Sequence, residues 1–254
     1  MQPHPSQHDP AGQRNPYAQA PSYAPGAVTG DPRAQLASGV DQFMTRVNAW
    51  MAAGVGVTGL VAFIVSLDAA LVRTLLMTPL RWVVFLAPLA FVVLFASRVH
   101  KMKPSTAIGL FLLYAALNGV ALSAIFIVYS LGSIASVFAI TVLMYGSLAL
   151  WGYVTKRDLS AWGKFLFMGL IGLIVSSIFF MFVPGMMGST AYLIYNVIGV
   201  LIFAGLTAYD TQKIKQIYLV NGGAGNLAVL GALTLYLDFI NLFLFLLRLF
   251  GGRE

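Results

Sequence analysis

Residues 227–249 read LAVLGALTLYLDFINLFLFLLRL, and the aspartate in the middle of that run, Asp238, decides how the chain is read. About 20 apolar residues suffice to cross ~30 Å of hydrocarbon as a helix, so the run is a membrane span. A carboxylate at mid-span costs roughly 2.5–3.5 kcal/mol on insertion scales and persists where it has a partner or a water path. The chain has eight acidic residues, and Asp238 is the only one well inside a hydrophobic run. Its default reading is an ion or proton site. Thr234, Asp238, Asn241 and Arg248 fall within an arc of about 80° at 100° per residue, one polar stripe on a Leu/Phe surface. Lipid cannot satisfy such a stripe, so it faces the bundle interior or a wet cavity. The bland alternative is a polar stitch between helices.

Working outward, the rest of the chain is membrane-like. Only 9% of its residues are charged and 59% are hydrophobic, with mean hydropathy +0.84. Soluble domains run about 25% charged. Seven spans are expected, at 47–67, 82–97, 107–129, 133–154, 163–183, 190–209 and 227–249. The second carries Pro88, which removes a backbone hydrogen bond and predicts a kink. The fold class is therefore all-α, a polytopic seven-helix bundle over residues 45–254. Residues 1–44 differ in kind: they hold seven of the eleven prolines, with Gln, Ser, Ala and Gly between them and no apolar period. That composition reads as a disordered cytoplasmic tail and not a signal peptide, since it lacks an apolar core.

Orientation follows from lysine and arginine. The tail and the second, fourth and sixth connections carry eleven of the fifteen cations; Arg73, Arg81, Arg248 and Arg253 lie on the other side. The positive-inside rule places the N-terminus in the cytoplasm and, with seven spans, the C-terminus outside unless the last run is a re-entrant hairpin. The net charge of +7 is thereby a topology signal, and nucleic-acid binding is not expected. Cysteine is absent, which removes disulfides and thiolate metal sites.

A second carboxylate, Asp210, lies in GLTAYDTQKIK (residues 205–215) at the cytoplasmic end of the sixth span, with Asn196, Phe203 and Thr207 on its helical face. By itself it reads first as an interfacial aspartate screened by water and by Lys213 three residues on. Two carboxylates brought together from adjacent helices cannot both ionise cheaply and would titrate as one unit sharing a proton. They also offer hard oxygen ligands suited to Ca²⁺. Arg98, ending the second span, reads either as a latch reaching a carboxylate or as an arginine snorkelling to the interface. Asn118 and Tyr114 give the third span a polar face that reads as packing, and Gly54, Gly56 and Gly59 form a small-residue face in the first.

Soluble-type catalysis finds no motif: HExxH and GxSxG are missing, and His4 and His8 lie in the tail. An intramembrane aspartyl protease would pair YD with GxGD; Tyr209-Asp210 matches the first half, but Leu235-Tyr236-Leu237-Asp238 lacks the glycine. No enzyme and no resident cofactor is expected.

GLTAYDTQKIK (205–215), LYLDFINLF (235–243) and FLLYAALNG (111–119), the last with the basic lead-in from Arg98, together resemble the Bax inhibitor family (transmembrane Bax inhibitor motif, YccA-like), in a bacterial member. The resemblance covers about residues 45–250. It implies a seven-helix bundle with the last helix central and a pH-sensitive Ca²⁺ leak controlled by a di-aspartyl pair and an arginine. Asp210 and Asp238 match the two aspartates, and Arg98 matches the arginine. Some members carry an acidic residue in the second helix, and this chain has none there. Some bacterial relatives bind a membrane-bound AAA protease instead, so the alternative role is a non-transporting regulator of such a protease or of cell-death and stress machinery.

The expectation is thus an inner-membrane protein whose partners are the bilayer, protons and Ca²⁺ as transported ion. Asp210 and Asp238 are its sensor and cation-binding pair, Arg98 its latch, and Thr207, Thr234, Asn241, Arg248 and Asn118 its supporting polar groups.

Overall fold

The computed structural model describes residues 31–183 and 188–252. Nine α-helices are found among them: α1 (Pro32–Ser66), α2 (Ala69–Met77), α3 (Leu80–Arg98), α4 (Pro104–Leu122), α5 (Ile125–Val128), α6 (Leu131–Val154), α7 (Ser160–Phe182), α8 (Ser189–Asn221) and α9 (Gly225–Phe250). All but α2 and α5 are long and apolar enough to cross a bilayer, which makes the seven expected spans.

The helix boundaries follow local chemistry. α1 begins at Pro32, well before the expected domain boundary at residue 45. The Asp31 side chain caps it by accepting from the Arg33 amide at 3.0 Å, and Pro32 sits at the first helical position, where its missing N–H costs nothing. Pro32 therefore starts a helix where it was expected to break structure. The buried residues Val40, Phe43, Met44, Val47 and Met51 recur at helical spacing, a pattern hidden by the polar residues between them. The expectations for residues 1–30 lie outside the described residues, as does the 184–187 part of the α7–α8 connection. The unexpected α2 is nucleated by Asp68, whose carboxylate accepts from the amides of Ala70 and Leu71 at 2.9 and 3.0 Å. Pro88 is accommodated within the single helix α3.

The last hydrophobic run is one uninterrupted helix, so the re-entrant hairpin is excluded. Gly222, at φ 72°, ends α8 in the left-handed region and turns the chain into α9. α9 packs against α1, α4, α6 and α8 and is the most enclosed of the seven spans, with 72% of its apolar window buried. Outer faces carry Leu143, Leu150, Phe165, Met168 and Leu201 exposed, as lipid contact requires and water would not tolerate.

Of the glycines expected to allow close approach, Gly54 does so, since a Cβ there would collide with the Phe111 ring. A Cβ on Gly56 or Gly59 would meet nothing within 4 Å. One on Gly119 of α4 would press on the Thr58 carbonyl and Val61 of α1, and one on Gly152 of α6 would collide with the Ala208 backbone of α8. Backbone cannot yield as a side chain can, so Gly152→Val is expected to cost about 1–3 kcal/mol and to lower the melting temperature in detergent. Gly172→Ala on α7, where a Cβ meets nothing within 4 Å, is expected to melt as wild type.

Candidate functional site

Polar groups from four spans converge on one cavity of about 850 Å³. α9 contributes Thr234, Asp238 and Asn241; α8 contributes Asp210 and Lys213; α4 contributes Tyr114 and Asn118; α7 contributes Lys164 and Ser177. Along α8 its lining extends from Tyr195 to Lys213, which at 1.5 Å per residue is roughly 27 Å. That is comparable to the ~30 Å hydrocarbon thickness, so the cavity is a lengthwise feature of the bundle. On α3 it is flanked by Pro88 and Val92.

Asp210 lies within α8, which runs on to Asn221, and not at a helix end. This places the carboxyl inside the bundle, on the same cavity as the carboxyl of Asp238. A direct carboxyl–carboxyl hydrogen bond needs a donor, so such a contact holds together when one of the two carries a proton. Asp238 is 4% exposed, and its Oδ2 is buried without a hydrogen-bond partner among the described residues. Tyr145 of α6 has the same status: its ring packs on Phe239 at 5.5 Å and its buried hydroxyl is unpartnered. A buried polar atom left unpaired costs about 1–3 kcal/mol, so the two orphans mark a place where structure alone does not account for the residues.

The remaining expected groups divide. Thr234, Asn241 and Asn118 line the cavity; their side chains also bond the carbonyls of Leu230, Leu237 and Tyr114, respectively, one turn earlier. Thr207 is fully buried beside the cavity and donates to the Phe203 carbonyl at 2.8 Å. Arg248 is not brought in. It is exposed in the last turn of α9 with its guanidinium over the Phe245 ring at 5.3 Å, so the stripe ends at Asn241.

Arg98 is not brought in either. It is exposed at the end of α3 and is not part of the cavity lining. Its neighbour Val99 is buried and tied through its carbonyl to Asn226 Nδ2 at 3.0 Å. Asn226 lies about 18 Å along α9 from Asp238 at 1.5 Å per residue, beyond the reach of an arginine. The cation beside Asp210 is Lys213, whose ammonium also sits 5.6 Å from the centre of the Tyr209 ring. Lys213 was legible only as a screening charge, and Lys164 and Tyr145 carried no signal, because their helices bring them to the site from distant parts of the chain.

One buried hydrogen-bond chain braces the cavity wall. Thr58 of α1 donates to the Ala115 carbonyl at 2.9 Å, which leaves its oxygen to accept from the Tyr236 hydroxyl at 2.7 Å. Tyr236 also meets Phe111 and Tyr114 edge-on.

The comparisons agree with this architecture. Residues 40–254 match the family described as "Inhibitor of apoptosis-promoting Bax1". The chain belongs to the Bax inhibitor family. It is 42% identical over 228 residues to the inner membrane protein YbhL of Escherichia coli, covering 87% of this chain and 95% of that one. It is 42% identical over 232 residues to an uncharacterized protein of Caulobacter vibrioides (85% and 91%) and 39% over 220 residues to one of Deinococcus radiodurans (85% and 92%). The resemblance read from the motifs at 205–215 and 235–243 is thereby shown to extend over nearly the whole membrane domain.

Tyr236→Phe and Thr58→Val are each expected to cost about 0.5–1.5 kcal/mol, read as a lowered melting temperature in detergent. The double variant is expected to fall short of the sum, since both remove the same bond.

Proposed function

We propose that this protein passes Ca²⁺ down its gradient through the cavity, under the control of protons held by Asp210 and Asp238. The observation that carries the reading is the convergence of two carboxyls on one lengthwise cavity whose other polar lining is hydroxyl and amide groups with Lys164 and Lys213. A Ca²⁺ ion takes six to eight oxygens, and two carboxylates with Asn and Tyr oxygens nearby supply an incomplete, hydrated site. Among the described residues no group of three or more His, Cys, Asp or Glu forms a closed cage. Incomplete coordination suits an ion that must leave as readily as it enters.

The gate follows from the shared proton. At lower pH the proton bridges the two carboxyls and ties α8 to α9, which closes the path. At higher pH both ionise, repel one another across the contact and become cation ligands. Lys213 beside Asp210 takes the latch role expected of Arg98, offering an alternative partner once the bridging proton leaves. The N-terminus is placed in the cytoplasm on the distribution of lysine and arginine, so Lys164 and Lys213 mark the cytoplasmic end.

Ca²⁺ uptake into proteoliposomes, followed from about pH 5 to pH 8, is expected to rise with pH in wild type. Asp238→Asn cannot ionise and is expected to abolish that dependence. Absent uptake in folded wild type would overturn the reading in favour of a regulator that binds a membrane protease.

A further inference from the structure

A second space of about 480 Å³ lies between α1, α6 and α8. Asp41 and Asn48 of α1, Tyr145 and Tyr153 of α6 and Thr211 of α8 line it. These positions lie in the first half of α1 and the last parts of α6 and α8, so the space belongs to the membrane side on which α1 begins. A clasp of three helices stands there: the Tyr153 hydroxyl donates to Asp41, and Lys215 donates to the Tyr153 carbonyl at 3.1 Å while its ammonium lies 4.6 Å from the centre of the Tyr153 ring.

Tyr145 joins this space to the aspartate pair. It lines the space, yet it is only 6% exposed and its hydroxyl is unpartnered among the described residues. Its ring packs at 5.5 Å on Phe239, the residue that follows Asp238 on α9, and Asp238 Oδ2 is likewise buried without a partner among the described residues. Buried polar atoms that lack a protein partner are the usual sites of water-mediated links.

We propose that the space between α1, α6 and α8 is a second aqueous vestibule, and that the Tyr145 hydroxyl relays protons between it and Asp238. The proposal deepens the reading of the aspartates as a proton-bearing pair and rests on it. In the relay, the Tyr145 O–H bond breaks as its proton passes, directly or through one water, to Asp238 Oδ2. A new O–H bond forms on Tyr145 from a hydronium on the vestibule side. Tyrosine ends unchanged, Asp238 gains one proton and the vestibule loses one.

The two spaces differ in their charges. In the main cavity Asp210 has Lys213 beside it as a counter-charge. The vestibule offers Asp41, partly countered by Lys215. Around Asp238 itself the other titratable groups are Asp210 on α8, Tyr236 on α9 and Tyr114 on α4, all lining the main cavity. Tyr145 is the one that lines the vestibule and also packs on Phe239 beside Asp238. Proton supply and cation passage then use separate doors, so the pair reports the pH of one side of the membrane whether or not a cation occupies the cavity.

The natural absence of cysteine makes the vestibule testable. Ala149→Cys, in its wall, is expected to react with a charged methanethiosulfonate reagent in liposomes, whereas Leu143→Cys, 72% exposed on the lipid face of the same helix, is expected to stay unmodified. The relay is read by infrared difference spectroscopy after a pH jump, as the rate at which the protonated-carboxyl band absent from Asp238→Asn appears and decays. Tyr145→Phe keeps the ring packing on Phe239 and is expected to slow that rate roughly tenfold or more. An unreactive Ala149→Cys, an unchanged rate in Tyr145→Phe, or no Asp238-dependent band in wild type would each overturn the proposal. Neither readout uses Ca²⁺: a wild type that shows the band and its Tyr145 dependence but no Ca²⁺ uptake would overturn the cation path and leave the relay standing.

Discussion

Asp238 must be kept polar company in the middle of a helix whose other buried side chains are Leu, Phe, Tyr, Ile and Val, and the arrangement of the bundle follows from that need. Lipid offers nothing to a carboxyl, so α9 has to be wrapped by other helices, and four of them pack on it. The wrapping brings Asp210 of α8 to the same cavity as Asp238 and packs Tyr145 of α6 on Phe239 beside it. It is made possible by glycines at the points of closest approach. Gly152 lets α6 lie directly on the backbone of α8, and Gly119 does the same for α4 on α1. Without those approaches the carboxyl would face a looser and wetter environment, and the convergence with Asp210 would not be held.

The polar groups of the bundle fall into two kinds. Most are satisfied within their own helix: Thr141, Thr207, Thr211, Thr234 and Asn241 each bond the carbonyl four residues earlier. This makes them inexpensive to carry through a membrane while leaving oxygens that face a cavity. A smaller set is satisfied between helices, as in the Thr58–Tyr236 bond and the clasp of Gln212 onto the backbone of Arg157 and Leu159. These tie the α6–α7 connection to α8 and α1 to α9. Against this background of satisfied groups, Asp238 Oδ2, the Tyr145 hydroxyl and Asn196 Oδ1 are buried without partners among the described residues.

Much of the fold was legible because the membrane imposes a simple code. Apolar runs of fixed length mark spans, and all seven were recoverable from residues 45–250 alone. The misplaced start of α1 has a plain cause: a proline at the first turn of a helix and a proline in a disordered tail are the same letter, and only the Asp31 cap and the spacing of Val40, Phe43, Met44 and Val47 distinguish them. The glycines of α1 were legible as a small-residue stripe, yet which stripe meets a neighbour depends on how the helices rotate, and two of those three face open space.

The sequence by itself determined that the chain spans a membrane with seven helices, that it belongs with the Bax inhibitor family, and that Asp238 and Asp210 are its exceptional residues. Composition, run length and the rarity of acidic residues are properties of the chain, and the energetic cost of a carboxylate in lipid can be judged without coordinates. The tertiary structure alone decided which groups meet. It brought Asp210 and Asp238 from two helices to one cavity with Lys213, left Arg98 and Arg248 exposed at helix ends, and set Tyr145 against a second space. Helix rotation and crossing are fixed by many small packing contacts spread over distant parts of the chain, and no local pattern of residues encodes their sum.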